Sequence, residues 1–295
     1  MQNLIRTGRA VWLAAAVLLL TAALAGSTVS AGSISQDQTT SGGLTPRQLE
    51  IEKQRQRLSS ADVEERREAL TQLGAMHYPG ASRAALAGLT DPSPTVRATA
   101  AASVLSLPAD EAAKSLVPLL ADKDEFVRQQ AAYALGRARS VRGAPPLIDA
   151  LSDKKDSVRG AAALALGEIG DPMAASHLAA LLDPRSGSTP TKKAKKSKPE
   201  QNLFVLRAAA RSLGQIKDRA GVPALIAVLQ DEKAESDVRR EAAVALGEIR
   251  DQSAIPALRS AELSNDPYLS RAAKEALGKI LVRRLAAAIE STYPQ

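Results

Sequence analysis

A ten-residue phrase recurs down this chain at an almost fixed interval, and that period constrains the fold more than any other feature. Val127-Arg128-Gln129-Gln130-Ala131-Ala132-Tyr133-Ala134-Leu135-Gly136 returns 31 residues later as Val158-Arg159-Gly160-Ala161-Ala162-Ala163-Leu164-Ala165-Leu166-Gly167. It returns again as Val238-Arg239-Arg240-Glu241-Ala242-Ala243-Val244-Ala245-Leu246-Gly247. Weaker copies end at Gly74, Leu105, Gly214 and Gly278, which makes seven copies with successive spacings of 31, 31, 31, 47, 33 and 31. A period of this size belongs to a solenoid, in which each unit buries its apolar face against its neighbours. The step of 47 implies an insertion of about half a repeat within one unit.

Each unit reads as two helices. Val127, Ala131, Ala134, Leu135 and Ala138 fall at i, i+4, i+7, i+8 and i+11, an apolar stripe along the second helix. Three residues before each Val position stands a capping candidate: Asp62, Ser93, Asp124, Asn202 and Asp266. In the first helices, Leu147, Ile148 and Leu151, or Leu225, Ile226 and Leu229, carry the apolar face, and Pro145, Pro223 and Pro256 recur near the start. The repeat-ending Gly is expected to stop or bend the second helix before the next unit. Aromatic residues are 2% of a chain that is 45% hydrophobic, so the core must be Ala, Leu, Val and Ile. Thr45-Pro46-Arg47-Gln48 has the form of a capping box and opens a polar helix through Arg57. At the other end an apolar pattern continues past Gly278 through Ile280, Leu281, Leu285 and Ile289. Both ends suit the capping of an array.

The phrase Val-Arg-x-x-Ala-Ala-x-Ala-Leu-Gly-x-Ile, as in Val238 to Ile249, with an Asp such as Asp171, Asp218 or Asp251 just after, resembles the HEAT-repeat family in its short, bilin-lyase-type form. The resemblance runs from about Thr45 to Tyr293 and departs at Leu105, where Gly is expected, and at Leu206 and Ser270, where the Arg is displaced to Arg207 and Arg271. It implies an all-α superhelix whose second helices form a concave face used for binding other macromolecules. Residues 45–293 are therefore expected to form about seven two-helix units, with 184–199 a Lys-rich insertion loop and 32–44, rich in Ser, Gly, Thr and Gln, a flexible linker.

Before the linker, Arg6 and Arg9 precede an apolar run from Ala10 to Ala25, and small residues follow at Ala23-Leu24-Ala25 and Val29-Ser30-Ala31. This is the layout of a secretory signal peptide over residues 1–31, cut at Ala25 or Ala31, and it implies an exported bacterial protein, periplasmic or extracellular. The alternative is an uncleaved inner-membrane anchor over 10–25, although sixteen residues fall short of the roughly 20 that span a bilayer comfortably.

The formal charge of +7 is concentrated in two places. Arg6 and Arg9 carry two of it and the stretch from Asp183 to Glu200 carries four, leaving +1 for the remainder. A nearly neutral body argues against specific nucleic-acid binding. Lys192, Lys193, Lys195, Lys196 and Lys198 form a candidate contact for an anionic polymer or lipid surface.

A second candidate lies on the second helices, seven residues before each terminal Gly and four residues further on. There Arg207, Arg211, Arg240 and Arg271, with Tyr133 at the same register, line one stripe suited to gripping a partner's carboxylate or phosphate groups. Arg97, Arg128, Arg159 and Arg239, one residue earlier in register, read as scaffold that pairs with Asp91, Asp122, Asp153 or neighbouring helix ends.

Catalysis finds little support. There is no Cys, and His77 and His177 sit in different units without metal-ligand spacing. Hydroxylases of HEAT-like fold use His-Glu pairs for iron, but His77 precedes Tyr78 and His177 precedes Leu178. No catalytic or metal residue and no cofactor is therefore assigned. Ser152-Asp153-Lys154-Lys155 matches S-x-x-K only by spacing. The expected function is a non-catalytic scaffold for a protein partner. The alternatives are a binder of anionic polymer or membrane through the Lys-rich loop, and a bilin-lyase-like accessory protein.

Overall fold

The computed structural model describes residues 43–183 and 203–292, the last ten as helical backbone. The chain divides at Thr45, and everything below concerns the body that begins at Pro46. The expected signal or anchor, the linker up to Gly42 and the Lys-rich loop lie outside the described residues. No described helix is long and apolar enough to cross a membrane.

Fourteen described helices form seven hairpins. The first helices of the hairpins are α1 (Pro46–Arg57), α3 (Pro79–Ala85), α5 (Ala109–Leu116), α7 (Ala144–Ala150), α9 (Ala175–Leu182), α11 (Val222–Gln230) and α13 (Ile255–Glu262). The second helices are α2 (Val63–Ala75), α4 (Pro94–Ser103), α6 (Glu125–Ala138), α8 (Asp156–Ile169), α10 (Leu203–Ile216), α12 (Ser236–Ile249) and α14 (Pro267–Thr292). Pro145, Pro223 and Pro256 sit in the first turn of α7, α11 and α13, where the missing N–H costs nothing. Asp62 accepts from the Glu64 N–H and Asp124 from those of Phe126 and Val127. Asp266 accepts from the N–H groups of Tyr268 and Leu269. Ser93 occupies the N-cap of α4 without a side-chain cap bond, because its hydroxyl pairs with Thr95 Oγ1 instead. Asn202 lies outside the described residues.

The largest fully buried side chains are all leucines, running from Leu70 through Leu135, Leu166 and Leu213 to Leu258, with alanines filling the space between. Neighbouring second helices lie against one another more closely than neighbouring first helices do. In a two-layer stack the closer-spaced layer is the inner one, so the second helices form the concave side.

The repeat-ending glycines explain this close approach, and they do so differently from the sequence expectation. Gly136, Gly167, Gly214 and Gly247 are buried inside their helices, not at the ends. A Cβ at Gly214 would fall 2.8 Å from Ala245 Cα, and one at Gly247 equally close to Ala276 Cα. At Gly136, Gly214 and Gly247 adjacent second helices touch backbone to backbone, whereas Gly167 lies against the side chains of Ser212 and Gln215. Termination comes three residues later, where the chain turns left-handed at His77, Arg139, Gly170, Lys217 and Arg250, with φ from 47° to 76°. Ser140, Asp171, Asp218 or Asp251 then caps the 3₁₀ turn that opens the next first helix. At position 105, where Leu replaces Gly, α4 ends early at Ser103 and the close crossing is not continued. At the C-terminal end Ile280 joins the core while Leu281 is exposed.

A second staple runs along the edge where first helices lead into second. Arg66 grips Asp91 at 2.7 and 3.0 Å, Arg97 grips Asp122 at 2.7 and 2.9 Å, and Arg128 grips Asp153 at 2.8 and 3.2 Å. Each pair spans 25 residues and crosses to the following unit. The remaining Nη1 of each arginine donates to backbone carbonyls of its own unit's loop, such as Asp91 O and Pro92 O for Arg97. Each Asp also accepts from the backbone N–H two residues on, at Ser93, Asp124 and Lys155. Arg159 donates to Asp153 O and pairs with Asp156, and Arg239 donates to Leu229 O.

The second-helix face as candidate functional site

The stripe predicted from sequence exists as a line of side chains on the second helices, but its arginines are engaged. Arg207 lies 3.7 Å from Asp237, and Arg211 lies 3.6 Å from Glu241. Arg240 bridges Asp237 at 3.0 Å and Asp266 at 3.3 Å, and its guanidinium stands over the Tyr268 ring, 5.3 Å from the centroid. Arg271 pairs with Glu275 within its own helix at 2.9 Å. Burial raises Asp266, but hydrogen bonds from Leu269 and Tyr268 and the Arg240 charge hold it below the ordinary carboxylate range. Tyr133 is half-buried and packs against the core rather than standing free on the face.

Between the ends of α8, α10 and α12 lies a cleft of about 550 Å³, lined by Arg139, Glu168, Arg211, Lys217, Glu241 and Glu248 among others. Cations and carboxylates alternate around it. Lys217 lies 3.7 Å from Glu248, which Lys279 also reaches at 2.6 Å. The hydrogen bond from Lys279 holds Glu248 below its usual range. This part of the face is a neutral mosaic, not a cationic grip.

Three residues that sequence reasoning passed over give the face its apolar character. Phe126, Phe204 and Tyr268 are 49%, 39% and 69% exposed, and all three occupy the position just before the Val or Leu of the repeat phrase, in the third, fifth and seventh units. The intervening units carry Ser157 and Asp237 there. The Phe204 ring lies over Gly160 of the preceding second helix, which leaves no room for a Cβ at that position. The signal was present in the sequence: in a chain with two Phe and four Tyr, three of them share one register.

The two histidines are exposed, and among the described residues no group of three or more His, Cys, Asp or Glu is placed to hold a metal ion. Lys192, Lys193, Lys195, Lys196 and Lys198 lie outside the described residues.

The family model for HEAT repeats matches residues 51–136, 113–189 and 199–280. No curated protein matches the chain. Among solved structures, YibA of Escherichia coli is similar with 20% identity and a TM-score of 0.55, over 81% of this chain and 82% of that one. An engineered protein has 25% identity and a TM-score of 0.50, over 78% and 68%. The complex of CpcE and CpcF of phycocyanin lyase from Nostoc sp. matches at 23% identity and a TM-score of 0.44, over 83% and 91%.

Proposed function

We propose, from the premise that this chain belongs to the HEAT-repeat family, that it is an exported, non-catalytic scaffold holding a protein partner along its second-helix face. The observation that carries this reading is the placement of Phe126, Phe204 and Tyr268 at one repeat register, exposed on a layer of second helices whose other exposed side chains are mostly polar. Aromatic anchors spaced among paired charges are the composition of a protein-binding surface. The stacked helices already hold that surface in place, so binding costs little ordering on this side. Export rests on the basic and apolar layout of residues 6–25 and the small residues after it.

The test is crosslinked affinity capture with residues 32–295, beside the double variant Phe126→Ser/Tyr268→Ser and a variant lacking 184–199. The reading expects one specific protein to be captured by the parent and the loop deletion, and lost from the double variant while its thermal midpoint stays unchanged. Capture that survives the aromatic changes but vanishes with the loop and with added salt would move the site to the Lys-rich segment, as an anionic-surface contact.

A further inference from the structure

The Arg–Asp staples supply an internal reference for a site that differs from them in one residue. Counting 25 residues from Arg66, Arg97 and Arg128 reaches Asp91, Asp122 and Asp153. The same step from Arg239 reaches Ser264. Ser264 keeps the turn, since its hydroxyl accepts from the Asp266 N–H at 3.2 Å as each staple Asp accepts from the N–H two residues on. It offers no carboxylate to the arginine of the preceding unit.

The Arg239 side chain therefore has only one described hydrogen bond, from Nε to Leu229 O at 3.1 Å. Its Nη1 and Nη2 are not among the buried atoms without a partner, so both remain open to solvent. Arg239 borders a cavity of about 660 Å³ between the sixth and seventh units, whose lining includes Glu232, Ala257, Ser260, Leu263 and Ser264. Leu263, also in the lining, is 85% exposed, whereas Ala257 and Ala261 are buried. Glu232 is the single carboxylate of the lining and has no ion pair with Arg239.

We infer that this cavity receives the side-chain carboxylate of an acidic segment from a partner polypeptide, with Arg239 binding it end-on through Nη1 and Nη2. The chemistry follows the three staples, where the same arginine register is filled by the chain's own Leu-x-Asp segments: Leu89 to Asp91, Leu120 to Asp122 and Leu151 to Asp153. A bidentate guanidinium selects a planar carboxylate, and the volume and the exposed Leu263 suit a segment that brings an apolar side chain with it. The site lies on the loop edge and does not depend on the second-helix face, so either proposal can fail without the other.

The probe is a fluorescein-labelled peptide copying Val117–Lys123, which carries Asp122, beside the same peptide with Asp122→Asn, read by fluorescence anisotropy. The expected result is saturable binding of the Asp peptide and about tenfold weaker binding of the Asn peptide, as the loss of a charge-assisted hydrogen bond predicts. Arg239→Gln should weaken the Asp peptide by a similar factor, and Glu232→Gln should tighten it. Ser264→Asp is the decisive variant: it restores the carboxylate in cis, and is expected to abolish binding while the thermal midpoint stays level or rises. No saturable binding, or binding untouched by Ser264→Asp in the folded variant, would overturn the proposal. Sodium acetate competing as well as the peptide does would overturn its polypeptide part, assigning the site to small free carboxylates.

Discussion

One substitution made at the same repeat position in two units should change sign, because the two glycines differ only in what faces them. Gly247 and Gly278 both end the repeat phrase and both lie inside helices, α12 and α14. Replacing a mid-helix Gly by Ala gains about 1 kcal/mol through reduced backbone freedom in the unfolded chain and better helix propensity. At Gly278 nothing lies within 4 Å of the new Cβ, so Gly278→Ala should stabilise by about that amount. At Gly247 the Cβ would fall 2.8 Å from both Ala276 Cα and Ala276 Cβ. The first of these is backbone and cannot swing aside, so α12 and α14 must separate. Overpacking of that kind costs about 1–3 kcal/mol, and a backbone obstacle places it toward the upper end. Gly247→Ala should then be net destabilising by about 1–2 kcal/mol, and the two variants should differ by about 2–3 kcal/mol. Urea midpoints followed by far-UV circular dichroism measure both. A neutral or stabilising Gly247→Ala would refute the claim that these glycines are contact points between second helices.

Three further outcomes follow from the same geometry. Arg97→Leu leaves Asp122 without its bidentate partner at a site where the two side chains are only 8% and 9% exposed, and should cost about 3 kcal/mol in urea unfolding. The Arg97 hydrogen bond holds Asp122 below the ordinary carboxylate range, and Asp91 and Asp153 are likewise held low by Arg66 and Arg128 against the upward push of burial. A depressed folded-state pKa adds stability that is fully present above the unfolded value of about 4 and is lost as pH falls through the folded one. Stability should therefore fall below about pH 4, and less steeply in Arg97→Leu than in the parent; equal slopes would count against the staples as the source. Gly170→Ala places a Cβ at φ 76° with open space around it, so it should lose about 1 kcal/mol from left-handed strain alone, whereas Arg250→Gly at the equivalent turn should lose little or gain.

The solenoid, its seven units and its hairpins were legible because the repeat phrase carries its own register: the positions of Val127, Ala131, Ala134 and Leu135 form one buried stripe in the second to seventh copies. The role of the terminal glycine was not legible. A Gly at the end of an apolar stripe has the signature of a C-cap, and only the packing shows that Gly136 and Gly214 face a neighbouring helix. The true terminators are mostly Arg139, Lys217 and Arg250, long charged residues with no turn signature of their own. The staples were half visible. Arg97 and Arg128 were marked as scaffold with the right acids, but the step of 25 residues crosses a unit boundary and depends on how units stack, so Arg66 was passed over. The arginines of the stripe lie on the second helices, and the carboxylates that meet them, Asp237, Glu241 and Asp266, come from neighbouring units, which one repeat's sequence does not reveal.

The two kinds of staple divide the array in a way that bears on where it binds. Buried bidentate pairs lock the first four units along the loop edge, ending at Asp153. Beyond the insertion the same register is incomplete in opposite senses: Leu206 stands in the arginine position opposite Asp231, and Ser264 stands in the aspartate position opposite Arg239. The later units instead join through longer and more exposed pairs, such as Arg207 with Asp237 and Arg219 with Asp251. Exposed pairs contribute little to stability and rearrange readily. Close glycine crossings at Gly214 and Gly247 keep the second helices together there, so the inner layer stays continuous while the loop edge is left with an unmatched acid and an unmatched base. With the first four units as a rigid frame, the edge proposed to receive an acidic partner segment lies at the less tightly stapled joint between the sixth and seventh units.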